Sequence, residues 1–158
     1  MGSRSSVEKA YIAGFLDGDG SLMLQVKQRS DTKRGYRFMA TICFYQDSRH
    51  DEDLYWIREV LGIGYVSIRN DAMTELRING FTAVIDVLQD LQPFIRFKKL
   101  QAEALLAACH ILASDIRLLS NQQLQVVLEM ILIIQGNNYK AHRKKSREEL
   151  VKILGLTP

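Results

Sequence analysis

Apolar and polar residues alternate with two different periods along this chain, and each change of period marks the end of an element. Over residues 7–18 the apolar positions Tyr11, Ile12, Phe15 and Leu16 recur at helical spacing, with Glu8 and Lys9 early and exposed. Gly18 and Gly20 are expected to stop this helix as a glycine cap. From 21 to 29 the period drops to two: Leu22, Leu24 and Val26 point one way, and Ser21, Met23, Gln25, Lys27 and Arg29 point the other. A polar turn over 30–35 leads to a second alternating run at 37–45, with Phe38, Ala40, Ile42 and Phe44 inward and Arg37, Met39, Thr41 and Cys43 outward. The two runs predict a long hairpin with Lys33 and Arg34 at its tip.

Ser48 is placed to cap the next helix, because Asp51, Glu52 and Asp53 crowd its first turn and suit the helix dipole there. Leu54, Ile57, Val60 and Leu61 supply its apolar face. A shorter hairpin follows over 65–70 and 74–79, turning at Asn70 and Asp71, with Val66, Ile68, Leu76 and Ile78 inside and Ser67, Arg69, Glu75, Arg77 and Asn79 outside. Helices are predicted at 81–91, 100–112 and 119–135, the last apolar nearly all round and read as core. Lys140, His142, Arg143, Lys144, Lys145 and Arg147 then fall together without an acid before a short amphipathic helix at 148–154. Helix, hairpin, helix, hairpin and then helices is an α+β arrangement.

Composition narrows the function. The 158 residues suit one domain spanning 1–158, with 1–6 read as an added or frayed terminus. No apolar run approaches the roughly 18 residues a membrane span needs, and the opening hexapeptide lacks a secretory core, so an intracellular protein is expected. The two cysteines, Cys43 and Cys109, fit neither a zinc spacing nor a disulfide framework, and three scattered histidines form no cluster, so any metal should be held by oxygen. A net charge of +3 permits an anionic partner. Where the charge falls decides more than its sum.

The chemistry concentrates at the end of the first helix. Gly14 and Gly18, spaced i, i+4, share one helical face, and glycines cost a helix about 1 kcal/mol each relative to alanine, so that face calls for close packing, most simply against a copy of itself. Asp17 and Asp19 stand where the helix stops. A bare Gly-Asp-Gly is usually no more than a capping turn. Here self-packing would gather four carboxylates across a dimer axis, which calls for divalent cations, and oxygen ligands at a phosphate site favour Mg²⁺. A calcium loop is excluded because Leu22 stands where glycine is required and Gln28 where glutamate is required. A dinucleotide fingerprint fails because the glycines follow a helix rather than a strand. An alternating strand taken alone is most often a solvated sheet face. Two hairpins sharing a basic outward bias with little acid point instead to base edges in a DNA major groove, with the late basic run on phosphates.

The stretch Ile-Ala-Gly-Phe-Leu-Asp-Gly-Asp-Gly-Ser over 12–21 resembles the motif that names the LAGLIDADG homing endonucleases, in particular their single-motif, homodimeric, intron-encoded branch. The likeness runs over about 10–154 and includes the order of elements, Gly62-Ile-Gly-Tyr-Val66 opening the second hairpin, Leu91-Gln-Pro-Phe94 with Lys98 four residues on, and the late basic run. The resemblance implies the LAGLIDADG fold, with a curved four-stranded antiparallel sheet facing DNA. It also implies a dimer seam including Ala13, Gly14, Asp17 and Gly18. It places catalysis on Asp19, Gln46 and Lys98, metal ligation on Asp19 and the Gly18 carbonyl, and a further basic role on Arg49 or His50. DNA contacts then fall to Met23, Gln25, Lys27, Arg29, Arg37, Met39, Thr41, Ser67, Arg69, Glu75, Arg77, Asn79, Lys140, Arg143 and Lys144.

The implied activity is site-specific cleavage of both strands of a long, roughly palindromic duplex, with Mg²⁺ as cofactor, Mn²⁺ substituting and Ca²⁺ supporting binding without cleavage. The implied setting is an organelle or a prokaryotic cytoplasm. The alternative is a member that has lost cleavage and serves as an intron maturase or DNA-binding regulator. Retention of Asp19, Gln46 and Lys98 favours the nuclease, since a pure binding module has no need of carboxylates facing phosphate.

Overall fold

Ser5 opens the first element. Its hydroxyl accepts from Glu8 N at 3.2 Å and its own N–H donates to the Glu8 carboxylate at 3.0 Å, a reciprocal cap on α1 (Ser6–Asp19). Ser5 and Ser6, expected to belong to a frayed terminus, therefore set the helix start. The computed structural model describes residues 5–138 and 144–157.

The end of α1 differs from the sequence expectation. The helix runs through Gly18 to Asp19, and Gly20 has φ −124°, extended rather than left-handed, so no left-handed glycine cap forms. Gly20 instead begins β1 (Gly20–Gln28) directly. Its lack of a side chain serves close approach: a Cβ there would fall 2.8 Å from the Leu16 carbonyl oxygen and 2.9 Å from Leu16 Cα. The chain thus reverses from helix to strand without a loop.

β1 pairs antiparallel with β2 (Tyr36–Asp47), from Gly20 opposite Phe44 to Gln28 opposite Tyr36. A second hairpin of β3 (Tyr65–Ile68) and β4 (Met73–Asn79) joins through β4, giving the antiparallel order β1-β2-β4-β3. Between the hairpins lies α2 (Glu52–Leu61), which Ser48 does not cap. Ser48 opens a short 3-10 turn capped by Asp47, and its hydroxyl bonds Thr74 Oγ1 at 2.8 Å, because Thr74 is fully buried and offers a stronger claim than a helix start. The chain ends in α3 (Phe81–Leu91), α4 (Lys99–Leu112), α5 (Asn121–Asn137) and α6 (Arg147–Leu154).

One face of the sheet carries the core. Leu22, Leu24, Ile42, Phe44, Leu76 and Ile78 meet Ile12 and Leu16 of α1, Val84 and Leu88 of α3, and Leu105 of α4 within one continuous cluster. Two core expectations need correcting. Ile68, expected inside, is 70% exposed at the end of the short edge strand β3. α5, read as apolar all round, buries Leu124, Val127, Leu128, Ile131 and Ile134 but leaves Val126 and Ile133 substantially exposed, so it is an amphipathic helix with apolar residues on both sides. Beyond its end, Asn138 Nδ2 donates to the Leu22 carbonyl at 3.1 Å, satisfying a group on the edge strand β1. Among the described residues no helix is long and apolar enough to cross a membrane.

Gly20→Ala should destabilise the fold by about 1–3 kcal/mol through overpacking against Leu16. Gly14→Ala, where an added Cβ meets nothing within 4 Å, should instead stabilise the isolated chain by about 0.5–1 kcal/mol. Urea denaturation of the two variants measures the contrast under conditions where the chain is monomeric.

Candidate active site and nucleic-acid interface

The end of α1 is tied to the start of α4 by a single residue. The Asp17 carboxylate accepts from Arg96 N at 2.8 Å and from Lys98 N at 3.0 Å, while its carbonyl accepts from Lys98 Nζ at 2.6 Å. Lys98 is the N-cap of α4 and makes no side-chain cap, and Asp17, from another element, takes up one of the orphan donors there, the Lys98 N–H itself. The Lys98 side chain is consequently folded back towards the motif, and the residue is only 6% exposed. Burial lowers its ammonium below the usual lysine range, and the carboxylates of Asp17 and Asp19 oppose that shift.

Asp19 ends the same helix and is exposed. The Gly18 carbonyl beside it lies in the last helical turn, where no intrahelical donor reaches it. Gln46 lies two residues beyond Phe44, the partner of Gly20, and so flanks this end of the helix. Its Oε1 accepts from Asp47 N at 2.9 Å, leaving the amide N–H₂ to donate elsewhere. Arg49 is committed to Asp47 by two side-chain hydrogen bonds of 3.0 and 2.9 Å, and it pulls the Asp47 carboxyl down to about 2. His50 is exposed and makes no ion pair among the described residues.

Gly14 and Gly18 are exposed and open, and with Val7 (79% exposed) and Tyr11 (56% exposed) they form a stripe spaced 4, 3 and 4 residues apart. Ala13 does not belong to it, being fully buried against the protomer's own core with Ile12 and Leu16. Asp17 does not either, because its carboxylate is spent on the start of α4.

The second face of the sheet is polar and, among the described residues, lies opposite the helical core. Its rows follow from the register: Lys27 faces Arg37, Gln25 faces Met39, Met23 faces Thr41 and then Asn79, and Ser21 faces Cys43, Arg77 and Tyr65 in turn. A further row holds Tyr45, Glu75 and Ser67. The expectation of little compensating acid fails here. Arg29 pairs with Asp31 at 2.7 Å, Arg69 with Asp71 at 2.7 Å and with Glu75 at 3.6 Å, and Arg77 with Glu75 at 3.1 Å. Lys27 and Arg37 are the exception, like charges directly opposite each other with no ion pair among the described residues. Such an arrangement destabilises a sheet and is relieved by an anion.

Two outward residues are nevertheless buried. Thr41 donates to Asn79 Oδ1 at 2.8 Å and Cys43 lies under the side chains around Glu75, so neither reaches solvent. Tyr45 and Tyr65 belong on this face but were missed. Tyr65 accepts from Asn79 Nδ2 at 3.1 Å and Tyr45 bonds Ser21 Oγ at 3.0 Å, and the same alternation that placed their neighbours outward would have found them. Lys144 is exposed ahead of α6. Lys140 and Arg143 lie outside the described residues. Arg147, read as part of an acid-free run, is paired with Glu129 of α5.

The family model for the LAGLIDADG endonuclease matches residues 12–103, more than half of the chain. The chain belongs to that family. A DNA endonuclease of Chlorella vulgaris, I-CvuI, is 33% identical over 97 residues, which cover 61% of this chain and 60% of that protein. I-CreI of Chlamydomonas reinhardtii is 30% identical over 96 residues, covering 61% of this chain and 58% of that one. The aligned part of this LAGLIDADG chain thus spans three fifths of those relatives. In three dimensions the likeness extends further. I-CvuI solved with its target in the presence of 2 mM Ca superposes with a TM-score of 0.81 at 25% identity, covering 96% of this chain and 97% of that one. I-CvuI with the I-CreI target in 2 mM Mg, its DNA not cleaved, gives a TM-score of 0.79 at 26% identity with the same coverage.

Asp17→Ala should cost about 2–3 kcal/mol, the loss of two charge-assisted hydrogen bonds that leaves the start of α4 uncapped, and Asp17→Asn should cost less because one acceptor survives. Urea denaturation gives both values, and equal costs would contradict the capping role.

Proposed function

We propose that this chain is a site-specific endonuclease of duplex DNA that works as a homodimer with Mg²⁺. The observation that carries the reading is the exposed Asp19 carboxylate at a helix end, within the electrostatic reach of the buried Lys98 ammonium. The Asp19 carboxylate makes no hydrogen bond or ion pair among the described residues, since the local ties are made by Asp17 and Lys98. It lies where α1 runs into β1, at one end of a sheet whose open face bears Lys27 and Arg37 side by side.

The dimer reading follows from the α1 stripe. Val7, Gly14 and Gly18, together with Tyr11 set edge-on to Trp56, leave a narrow exposed apolar seam, and the absence of Cβ atoms at the glycines lets two such helices approach closely. Their ends would bring the two Asp19 side chains together at the symmetry axis. A twofold protein then matches a roughly palindromic duplex.

The donor set fits a hard divalent cation. One chain offers the Asp19 carboxylate and the Gly18 carbonyl, and among the described residues no three His, Cys, Asp or Glu side chains gather to hold a metal on their own. Mg²⁺ takes few protein oxygens and keeps water and phosphate oxygens for the rest. Bound there, it would supply an activated water and charge stabilisation at the phosphate. Lys98 holds one N–H on the Asp17 carbonyl and has two more to donate to phosphate oxygens as charge develops. Gln46 orients a water through its amide N–H₂. With Arg49 engaged by Asp47, His50 is the basic residue left to act near this end.

Asp19→Asn should abolish cleavage of a randomised palindromic duplex pool while leaving selective binding within about threefold, as expected when charge at the phosphate serves the transition state more than the ground state. A wild-type chain that cuts no member of the pool in Mg²⁺ or Mn²⁺ would replace the nuclease by a binding role. Separately, Gly14→Leu should sediment as a folded monomer at micromolar concentration where the wild type sediments as a dimer. A dimeric variant would remove the α1 seam from the interface.

A further inference from the structure

The open face of the sheet holds its arginines in two different ways. Arg37, with Lys27 opposite, is exposed and makes no ion pair among the described residues, its charge reaching only Asp31 at longer range. Arg77 and Arg69 share one carboxylate, Glu75, which is 13% exposed in the row with Tyr45 and Ser67, and Arg69 also pairs with Asp71 at 2.7 Å. Arg77 Nε lies 3.1 Å from Glu75 Oε1, Arg69 Nη1 lies 3.6 Å from Oε2, and the Cys43 thiol points at Oε2 from 3.9 Å. The contact to Arg77 is an ion pair without an aligned hydrogen bond, since Nε is buried and no acceptor lies along its N–H. Glu75 holds the guanidinium by charge without an aligned bond, while Cys43 and Tyr65 engage it by side-chain hydrogen bonds.

A carboxylate here costs attraction to a polyanion twice, by its own repulsion and by neutralising the guanidiniums beside it. We propose that Glu75 is a specificity-determining residue that competes with DNA for Arg77 and Arg69. A lone phosphate oxygen in solvent offers Arg77 little more than Glu75 does. The paired acceptors O6 and N7 of guanine offer a bidentate contact, and only that displaces the ion pair. Glu75 thereby suppresses binding to sequences that lack guanine under this part of the sheet. The inference rests on the reading of this face as a DNA surface.

The test compares wild type with Glu75→Gln, an isosteric change, on a duplex recovered from the cleavage pool and on a scrambled duplex of the same composition, in Ca²⁺ and over a range of salt. Glu75→Gln should bind the scrambled duplex about tenfold more tightly, with its log–log salt slope steeper by about one to two, while binding to the target changes less. In an Arg69→Gln, Arg77→Gln background the same change should no longer reduce discrimination. Unaltered discrimination in Glu75→Gln, or a parallel loss on both duplexes with a lowered melting temperature, overturns the proposal alone. A wild type that discriminates between no duplexes overturns the DNA reading beneath it.

Discussion

The Asp17 carboxylate, shared between the backbone N–H groups of Arg96 and Lys98, is the interaction on which the arrangement of this site depends. It joins elements about eighty positions apart in the chain and converts the end of α1 and the start of α4 into one rigid junction. Because α4 has no cap of its own, the junction is also what terminates that helix properly. The Lys98 ammonium returns to the Asp17 carbonyl as a consequence, and so a buried cation is set beside an exposed carboxylate. The two aspartates of the motif therefore divide the labour: Asp17 organises the protein, and Asp19 is left available.

That division also explains the glycines. Gly20 permits helix and strand to meet at distances that Leu16 would deny any side chain, and this puts Asp19 at the very start of the sheet. Gly14 and Gly18 perform no service inside the protomer, where nothing approaches them. Three glycines within seven residues thus carry two unrelated constraints. One belongs to the fold, and the other keeps the exposed face of α1 flat.

The polar face of the sheet shows a similar layering. Part of it is a cross-linked network around Glu75, Arg77, Asn79, Thr41 and the two tyrosines in which Arg77 Nε is left without an aligned acceptor, while the end at the first hairpin's tip carries Lys27 against Arg37. Cross-strand repulsion at the hairpin end is tolerated because both side chains are long and solvated. The network is partly dehydrated, so its charges must be matched within the chain.

Sequence alone determined the elements, because helical and strand periods are local properties of the chain: the two hairpins, α3 at Phe81–Leu91 and the inward set from Leu22 to Phe44 were all legible in it. The motif also marked Asp19, and the resemblance it carried pointed to Gln46 and Lys98. Tertiary structure decided what depends on neighbours distant in the chain. Only packing could bury Ala13, Thr41 and Cys43, expose Ile68, and release Ser48 from capping to meet Thr74. Only the fold could bring Glu129 to Arg147 and Glu75 to two arginines, turning a face that reads as basic into one that is partly neutral. Alternation tells which side of a strand a residue takes, but charge and burial there are set by the adjacent strand and the helix beneath, which no local period records.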